Sequence, residues 1–167
     1  MTVVPAQVAG VEAEMELPFA GIHQLCAPVL DQLDALPQPQ QDALNVALGL
    51  DEAAGLIDEF RARYPFALDP FQEEAIAHLA TGDSVMVAAP TGTGKTVVAE
   101  FGVFRAARKG FRVMYTTPIK ALSNQKFRDL RDQYGDKVGL LTGDIIENRE
   151  GSILVMTTEA LRNMLLQ

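Results

Sequence analysis

The clearest chemistry in this sequence lies in a glycine-rich stretch that reads Ala-Pro-Thr-Gly-Thr-Gly-Lys-Thr. Backbone N–H groups can point together at phosphate oxygens only where few Cβ atoms intervene, and glycines provide such backbone. The lysine can hold the β- and γ-phosphates of a nucleotide, and the last threonine hydroxyl can ligate Mg²⁺. The pattern therefore predicts a nucleotide site, with Lys95 and Thr96 as its catalytic residues and Thr96 as the metal ligand. Its residues are Ala89, Pro90, Thr91, Gly92, Thr93, Gly94, Lys95 and Thr96.

The first position of this stretch departs from the usual phosphate-loop pattern, which begins with glycine where this chain has Ala89. An apolar, β-branched segment precedes the stretch and a helical pattern follows it, which is the context that a phosphate loop requires. A purely structural glycine turn is the alternative. The context favours nucleotide binding.

Two residues upstream of the loop could recognise a base. Phe66 offers a flat ring for stacking, and the amide of Gln72 can pair with the donor and acceptor edge of adenine. A core phenylalanine and a solvated glutamine on a capped helix would show the same spacing. The spacing alone leaves both interpretations open.

The elements that must position these residues alternate between strands and helices after Pro65, which is typical of parallel βαβ units. Asp69 can cap a helix that has Pro70 at its first position and ends near Gly82. The pattern predicts an α/β fold, a parallel sheet with helices on both faces. Predicted strands lie at residues 84–89, 111–116, 138–141 and 152–156, and predicted helices at 95–109, at 120–134 and from about Glu159.

The N-terminal segment differs in composition from the rest of the 167-residue chain. Residues 1–60 contain ten acidic and no basic residues, whereas residues 61–167 contain 14 basic and 12 acidic residues. The net charge of −8 therefore says little about the partner of the second part. Residues 1–20 favour a loop or an edge strand. Helical spacing follows at 22–36, at 43–48 before Gly49, and through Leu56, Ile57 and Phe60.

Cys26 is the only cysteine, which excludes an intrachain disulfide and a cysteine-based zinc site. No apolar run reaches the roughly 18 residues that suggest a membrane span, and the N-terminus lacks a secretory signal pattern. We expect a cytoplasmic protein without a membrane partner.

Five segments, in this order and spacing, resemble superfamily 2 helicases of the Ski2-like DExH group, which includes the exosome-associated RNA helicases. The resemblance covers about Leu56 to the end and implies a P-loop RecA-like domain that binds ATP and Mg²⁺ and acts on nucleic acid, with RNA favoured. It also implies that Phe66 and Gln72 recognise adenine. The segments are residues 64–72, 89–96, 117–126, 141–144 and 156–165.

The same resemblance assigns nucleic-acid contacts to residues that follow the predicted strands. Hydroxyls, amides and backbone N–H groups there can bind phosphates and riboses without reading sequence. These contacts leave open whether the nucleic acid is RNA or DNA. Lys120 and Lys126 could instead be solubilising charges. The assigned residues are Thr117, Pro118, Lys120, Ser123, Asn124, Gln125, Lys126, Gly143, Asp144, Thr157, Thr158 and Glu159.

Residues about 7–50 resemble part of the ATPase region of large LuxR-type transcriptional regulators, without that family's own phosphate loop. No functional residue transfers from this resemblance. We therefore expect a mainly helical segment of unrelated origin at residues 1–55 and a partial RecA-like domain at residues 56–167.

Hydrolysis in such motors needs an Asp-Glu pair for Mg²⁺ and arginines from a second RecA-like domain. The resemblance places both beyond Gln167, so we expect weak ATP binding and negligible turnover from this chain alone. The alternative is a non-catalytic nucleotide-binding, nucleic-acid-binding or partner-docking fragment. A GTPase or small-molecule kinase is disfavoured because the guanine-reading Asn-Lys-x-Asp pattern is absent.

Overall fold

A computed structural model describes residues 2–6, 35–41, 45 and 49–166. The chain forms two compact units, Met1–Phe101 and Gly102–Gln167. Residues 22–34 of the first predicted helix, most of the predicted helix at 43–48 and most of the segment that resembles LuxR-type regulators lie outside the described residues. No helix in the described ranges is long and apolar enough to cross a membrane.

Two helices in the first unit lie upstream of the phosphate loop. Helix α1 (Leu50–Arg61) follows Gly49, which adopts a left-handed conformation at φ 65°. It buries Ala53, Leu56 and Phe60, so the apolar face predicted from Leu56 and Phe60 is confirmed. Helix α2 (Pro70–Thr81) packs Phe71 and Ala75 against Val98 in a small apolar core.

The start of α2 is fixed by a reciprocal capping box. The Asp69 side chain accepts from the N–H of Gln72, and Gln72 Oε1 accepts from the Asp69 N–H at 2.9 Å. Such caps satisfy backbone N–H groups that have no partner within the helix. The helix ends at Gly82, where φ is 102°. The predicted cap, first-turn proline and terminating glycine are all confirmed.

Strand β2 (Ser84–Ala88) leads into the phosphate loop, and helix α3 (Thr96–Lys109) leaves it. Strand β1 (Thr2–Ala6) pairs with β2 in antiparallel orientation, with Thr2 opposite Ala88 and Ala6 opposite Ser84. The prediction of a loop or edge strand near the N-terminus is thus resolved as a strand at residues 2–6. The division between the two units falls within α3.

The second unit contains a four-stranded sheet in the order β3-β6-β4-β5. The first three strands in that order are parallel, and β5 is antiparallel to β4. This arrangement confirms the predicted α/β class with a mainly parallel sheet. The elements are β3 (Val113–Thr117), α4 (Lys120–Tyr134), a 3-10 turn (Gly135–Lys137), β4 (Val138–Leu141), β5 (Ile146–Glu147), β6 (Ile153–Thr157) and α5 (Thr158–Leu165).

Burial differs between the strands. Strands β4 and β6 are buried almost throughout, and their side chains pack with Phe127 and Leu130 of α4 and with Val103. In contrast, Met86 of β2 is 62% exposed and Met114 of β3 is 44% exposed. The apolar sequences therefore predicted correctly that these segments are strands, but they did not predict how deeply each strand is buried.

The sequence did not predict β5 or the turn that follows it. Asn148 adopts a left-handed conformation with φ 46°, and its Nδ2 donates to the carbonyl of Asp136 at 2.6 Å and to that of Val138 at 3.2 Å. The backbone of this turn passes directly against Gly139, where a Cβ would overlap the Asn148 carbonyl oxygen. Glycine is required at this point because no flexible side chain could move aside.

We expect Gly139→Ala to lower the free energy of unfolding by about 1–3 kcal/mol, because the added methyl group must displace backbone. A shift of the urea unfolding midpoint to lower concentration would show this loss. Gly102→Ala is the matched control, since a Cβ there meets nothing within 4 Å. Equal midpoints for Gly139→Ala and the wild type would contradict the close packing of this turn.

Candidate functional site

The phosphate loop depends on two glycines with positive φ, Gly92 at 86° and Gly94 at 76°. At Gly94 a second constraint applies, because an added Cβ would lie 2.7 Å from Nε2 of Gln72. The loop can approach α2 this closely only without a side chain at that position. Both features match the predicted phosphate loop.

Gln72 connects the start of α2 to the loop. Its side chain is buried, with 4% exposure, and its Nε2 donates to the Gly94 carbonyl at 2.9 Å. Its Oε1 is already used in the capping box. The alternative of a solvated glutamine is therefore wrong, and so is that of a core phenylalanine, because Phe66 is 58% exposed.

The side chain of Lys95 is folded over the loop. Its Nζ donates to the carbonyl of Ala89 and to that of Pro90, the latter at 2.7 Å, and Thr93 Oγ1 donates to the Pro90 carbonyl at 2.9 Å. Ala89 packs against the small apolar core of the first unit. Alanine is thus accommodated where the usual pattern has glycine, since its methyl group packs inward and its carbonyl remains in the loop.

Thr96 is the first residue of α3 and is exposed. Its position after the loop agrees with a role as one ligand of a nucleotide-bound Mg²⁺. Among the residues that the structure describes, no three His, Cys, Asp or Glu side chains are grouped to hold a metal ion.

In the second unit, three predicted nucleic-acid residues form one hydroxyl network at the carboxyl ends of β3 and β6. Thr117 Oγ1 and Ser123 Oγ are 2.6 Å apart, and Thr158 Oγ1 donates to the Thr117 carbonyl at 3.2 Å. The Thr157 hydroxyl accepts from the N–H of Ala160 at 3.2 Å and caps α5. Thr117 and Ser123 are buried, so their hydroxyls connect β3 to α4.

Two further predicted residues meet across the sheet edge. The Lys120 ammonium, at the start of α4, pairs with the Asp144 carboxylate in the turn between β4 and β5. Asp144 Oδ1 also accepts from Thr142 Oγ1 at 3.3 Å. The hydrogen bond from Lys120 is the main reason that the pKa of Asp144 lies below its ordinary value. Residues 24 positions apart are thereby joined.

The remaining predicted nucleic-acid residues divide by exposure. Lys126 is mostly covered, with 15% side-chain exposure, and its Nζ lies 5.9 Å from the Tyr115 ring centroid and 3.8 Å from Asp129. Asn124 Oδ1 is buried and, within the described residues, has no hydrogen-bond partner. The exposed members are Pro118, Gln125, Gly143 and Glu159.

Sequence reasoning missed Tyr64, whose hydroxyl donates to Glu100 Oε2 at 2.7 Å. The two residues are 36 positions apart, so no local pattern could indicate the contact. It also missed Asn148 as the residue that shapes the β5 turn. The spacing Asn-Arg-Glu-Gly offered a weak turn signal for that residue.

We expect Lys120→Met to raise the pKa of Asp144 towards its ordinary value, because the cation that favours the carboxylate is lost. In the wild type, the pair stabilises the folded chain above the ordinary pKa of aspartate and is lost as pH falls through the lowered pKa. A carbon-13 NMR titration of the Asp144 carboxyl measures the change. Lys126→Met is the control, and an unmoved Asp144 titration in Lys120→Met would contradict the ion pair.

Comparison with known proteins identifies the family of this chain. The sequence model of the DEAD/DEAH box helicase family matches residues 69–167. The chain is 56% identical over 110 residues to the probable helicase HelY of Mycobacterium tuberculosis, which is 65% of this chain and 12% of the relative. It is 55% identical over 103 residues to the antiviral helicase SKI2 of Saccharomyces cerevisiae, 61% of this chain and 8% of the relative.

A third relative is the ATP-dependent RNA helicase mtr4 of Schizosaccharomyces pombe, 57% identical over 102 residues, which is 61% of this chain and 9% of the relative. The chain thus spans about a tenth of the length of the relatives it matches. These matches confirm the resemblance to Ski2-like helicases that the five sequence segments carried. The chain belongs to the DEAD/DEAH box helicase family.

Proposed function

We propose that this chain is the ATP-binding part of an ATP-dependent helicase that acts on nucleic acid, with RNA favoured. The observation that carries the proposal is the phosphate loop, in which Gln72 holds Gly94 and the Lys95 ammonium lies among loop carbonyls. The relatives support the substrate class, since one is named an ATP-dependent RNA helicase.

Nucleotide binding would move Lys95. Its ammonium now donates to the carbonyls of Ala89 and Pro90, which are neutral acceptors. Phosphate oxygens are anionic acceptors, so they attract the ammonium by opposite charge as well as by hydrogen bonding. The β- and γ-phosphates would therefore draw Lys95 off the carbonyls. Mg²⁺, held on the protein side by the Thr96 hydroxyl, would neutralise charge on the phosphates.

The adenine base would lie against the exposed ring of Phe66, with Gln72 reading its edge. Gln72 now donates one Nε2 hydrogen to the Gly94 carbonyl and accepts from the Asp69 N–H. A glutamine amide has two N–H donors and two acceptor lone pairs, so one donor and one acceptor site remain for a base. The same side chain would then contact the base and the phosphate loop.

Nucleic-acid backbone would contact the carboxyl-end face of the sheet in the second unit. The exposed groups there include Lys120, Thr158 and the turn at Gly143. We propose that the buried Thr117 and Ser123 support this surface through their mutual hydrogen bond. Contacts of this kind position a strand without reading its sequence.

We further propose that the chain alone binds ATP weakly and turns it over negligibly, a proposal that agrees with the absence, among the described residues, of any three His, Cys, Asp or Glu side chains grouped to hold a metal ion. A second RecA-like domain would supply the arginines that hydrolysis needs. The division into residues 1–55 and 56–167, and a cytoplasmic location, belong to the same proposal. The change in charge near Arg61 supports the first, and the single cysteine agrees with the second.

Replacing Lys95 should weaken ATP binding. We expect Lys95→Ala to raise the Kd for a fluorescent ATP analogue by about 10–100-fold, equivalent to roughly 1.4–2.7 kcal/mol, because the loop loses its phosphate-binding cation. Titration of both proteins at one salt concentration measures the effect. Lys137→Ala removes an exposed lysine outside the loop and is the matched control. Equal Kd values for the wild type and Lys95→Ala would refute the nucleotide site.

Replacing Gln72 should reduce base selectivity. We expect wild-type protein to prefer ATP over GTP in competition with the fluorescent analogue, and Gln72→Leu to bring the two competitors within about twofold, because the base edge loses its partner. Gln133→Leu, on the exposed surface of α4, is the control. A wild-type protein that binds GTP as tightly as ATP would contradict adenine recognition.

A further inference from the structure

A row of four aromatic rings runs from the interior of the first unit to its surface. Phe101 and Phe60 are buried, with 0% and 1% exposure, and their centroids are 5.1 Å apart in an edge-to-face arrangement. Phe60 meets Tyr64 at 5.2 Å, and Tyr64 meets Phe66 at 5.3 Å. Phe66 is 58% exposed. The exposed ring is thus connected to the core through Tyr64.

Tyr64 is held at both ends of its side chain. Its ring packs against Phe60 at an interplanar angle of 64°, and its hydroxyl donates to Glu100 Oε2 at 2.7 Å. Glu100 lies on α3, four residues after Thr96 and therefore on the same side of the helix. A phenylalanine at position 64 would retain the ring and lose the hydroxyl that donates to Glu100.

The backbone between Tyr64 and Phe66 leaves little freedom to the exposed ring. Pro65 fixes its own φ near −65° and restricts the residue before it. Phe66 lies at an angle of 56° to the Tyr64 ring, so one side of it is supported while the rest remains accessible. The orientation of Phe66 therefore depends on where Tyr64 is held.

We propose that Tyr64 is a positioning residue for nucleotide binding, which holds Phe66 ready to stack on a purine base and ties that ring to the helix that begins at the phosphate loop. The inference rests on the proposed function, because it assumes that Phe66 contacts the base. Tyr64 acts through Phe66 and Glu100 without touching the nucleotide. Its contribution is confined to the base-dependent part of the affinity, since the phosphates are held by the loop.

The test compares two ligands that share phosphates but differ in the base. Isothermal titration calorimetry of the full chain measures Kd for ATP and for inorganic triphosphate, both with Mg²⁺. We expect Tyr64→Phe to weaken ATP binding about three- to tenfold, as the loss of one hydrogen bond allows, and to leave triphosphate binding unchanged. Phe66→Ala should weaken ATP binding by a larger factor than Tyr64→Phe and should likewise leave triphosphate binding unchanged.

Two further variants examine the anchor at Glu100. Glu100→Gln keeps an acceptor oxygen for the Tyr64 hydroxyl and should retain ATP affinity within about twofold. Glu100→Ala removes the acceptor and should reproduce the effect of Tyr64→Phe. Circular dichroism of each variant verifies that the chain is folded, and Glu100→Ala provides the second route to the same result if Tyr64→Phe folds poorly.

The proposal is overturned if Tyr64→Phe binds ATP like the wild type while Phe66→Ala binds it weakly, a result that leaves the proposed function intact. It is also overturned if Tyr64→Phe weakens ATP and triphosphate equally, because Tyr64 would then support the unit as a whole. If the wild type binds triphosphate and ATP with the same Kd, the base makes no contact, and adenine recognition fails together with this inference.

Discussion

The hydrogen bond from Gln72 Nε2 to the Gly94 carbonyl determines the geometry of the proposed nucleotide site. Gln72 is buried and its other polar atom closes the capping box, so the amide can occupy only one orientation. Gly94 must then be glycine, because the amide lies where a Cβ would be. One side chain thereby fixes the start of α2, the backbone of the loop and the distance between them. A buried amide left without these partners would cost about 1–3 kcal/mol, which favours this single arrangement.

The proposed nucleic-acid face of the second unit is organised by the direction of its strands. Parallel strands present their carboxyl ends at the same edge of the sheet, so β3 and β6 bring Thr117 and Thr157 to one place. The buried pair of Thr117 and Ser123 then orients the start of α4, and Lys120 extends from that start to Asp144. The surface pair itself contributes little to stability, since solvent and salt screen the attraction between exposed charges. Its significance is the placement of a cation and a carboxylate on a surface that would meet phosphates.

In both units, the side chains proposed to contact ligands are supported by well-packed neighbouring residues. In the first unit the exposed Phe66 is supported by aromatic rings that continue into the core. The Lys95 ammonium is hydrogen-bonded to carbonyls of the loop. In the second unit the β5 turn is fixed by Asn148 against Gly139, where backbone packs on backbone. These supports limit the number of orientations available before a ligand arrives, and a prepared site loses less conformational entropy on binding.

The sequence by itself determined the phosphate loop, the α/β class, the cap of α2 at Asp69 and, within a few residues, most strands and helices from residue 56 onward. These features depend on local chemistry, because a loop of glycines, a capping residue and apolar periodicity act over a few positions. Family resemblance supplied the proposed roles of Phe66 and Gln72, which spacing had left open. Only the tertiary structure decided that Gln72 is buried against Gly94, that Lys120 meets Asp144 and that Tyr64 is held by Glu100. Each of these contacts joins residues 22 or more positions apart, and their partners are selected by packing and not by neighbouring sequence.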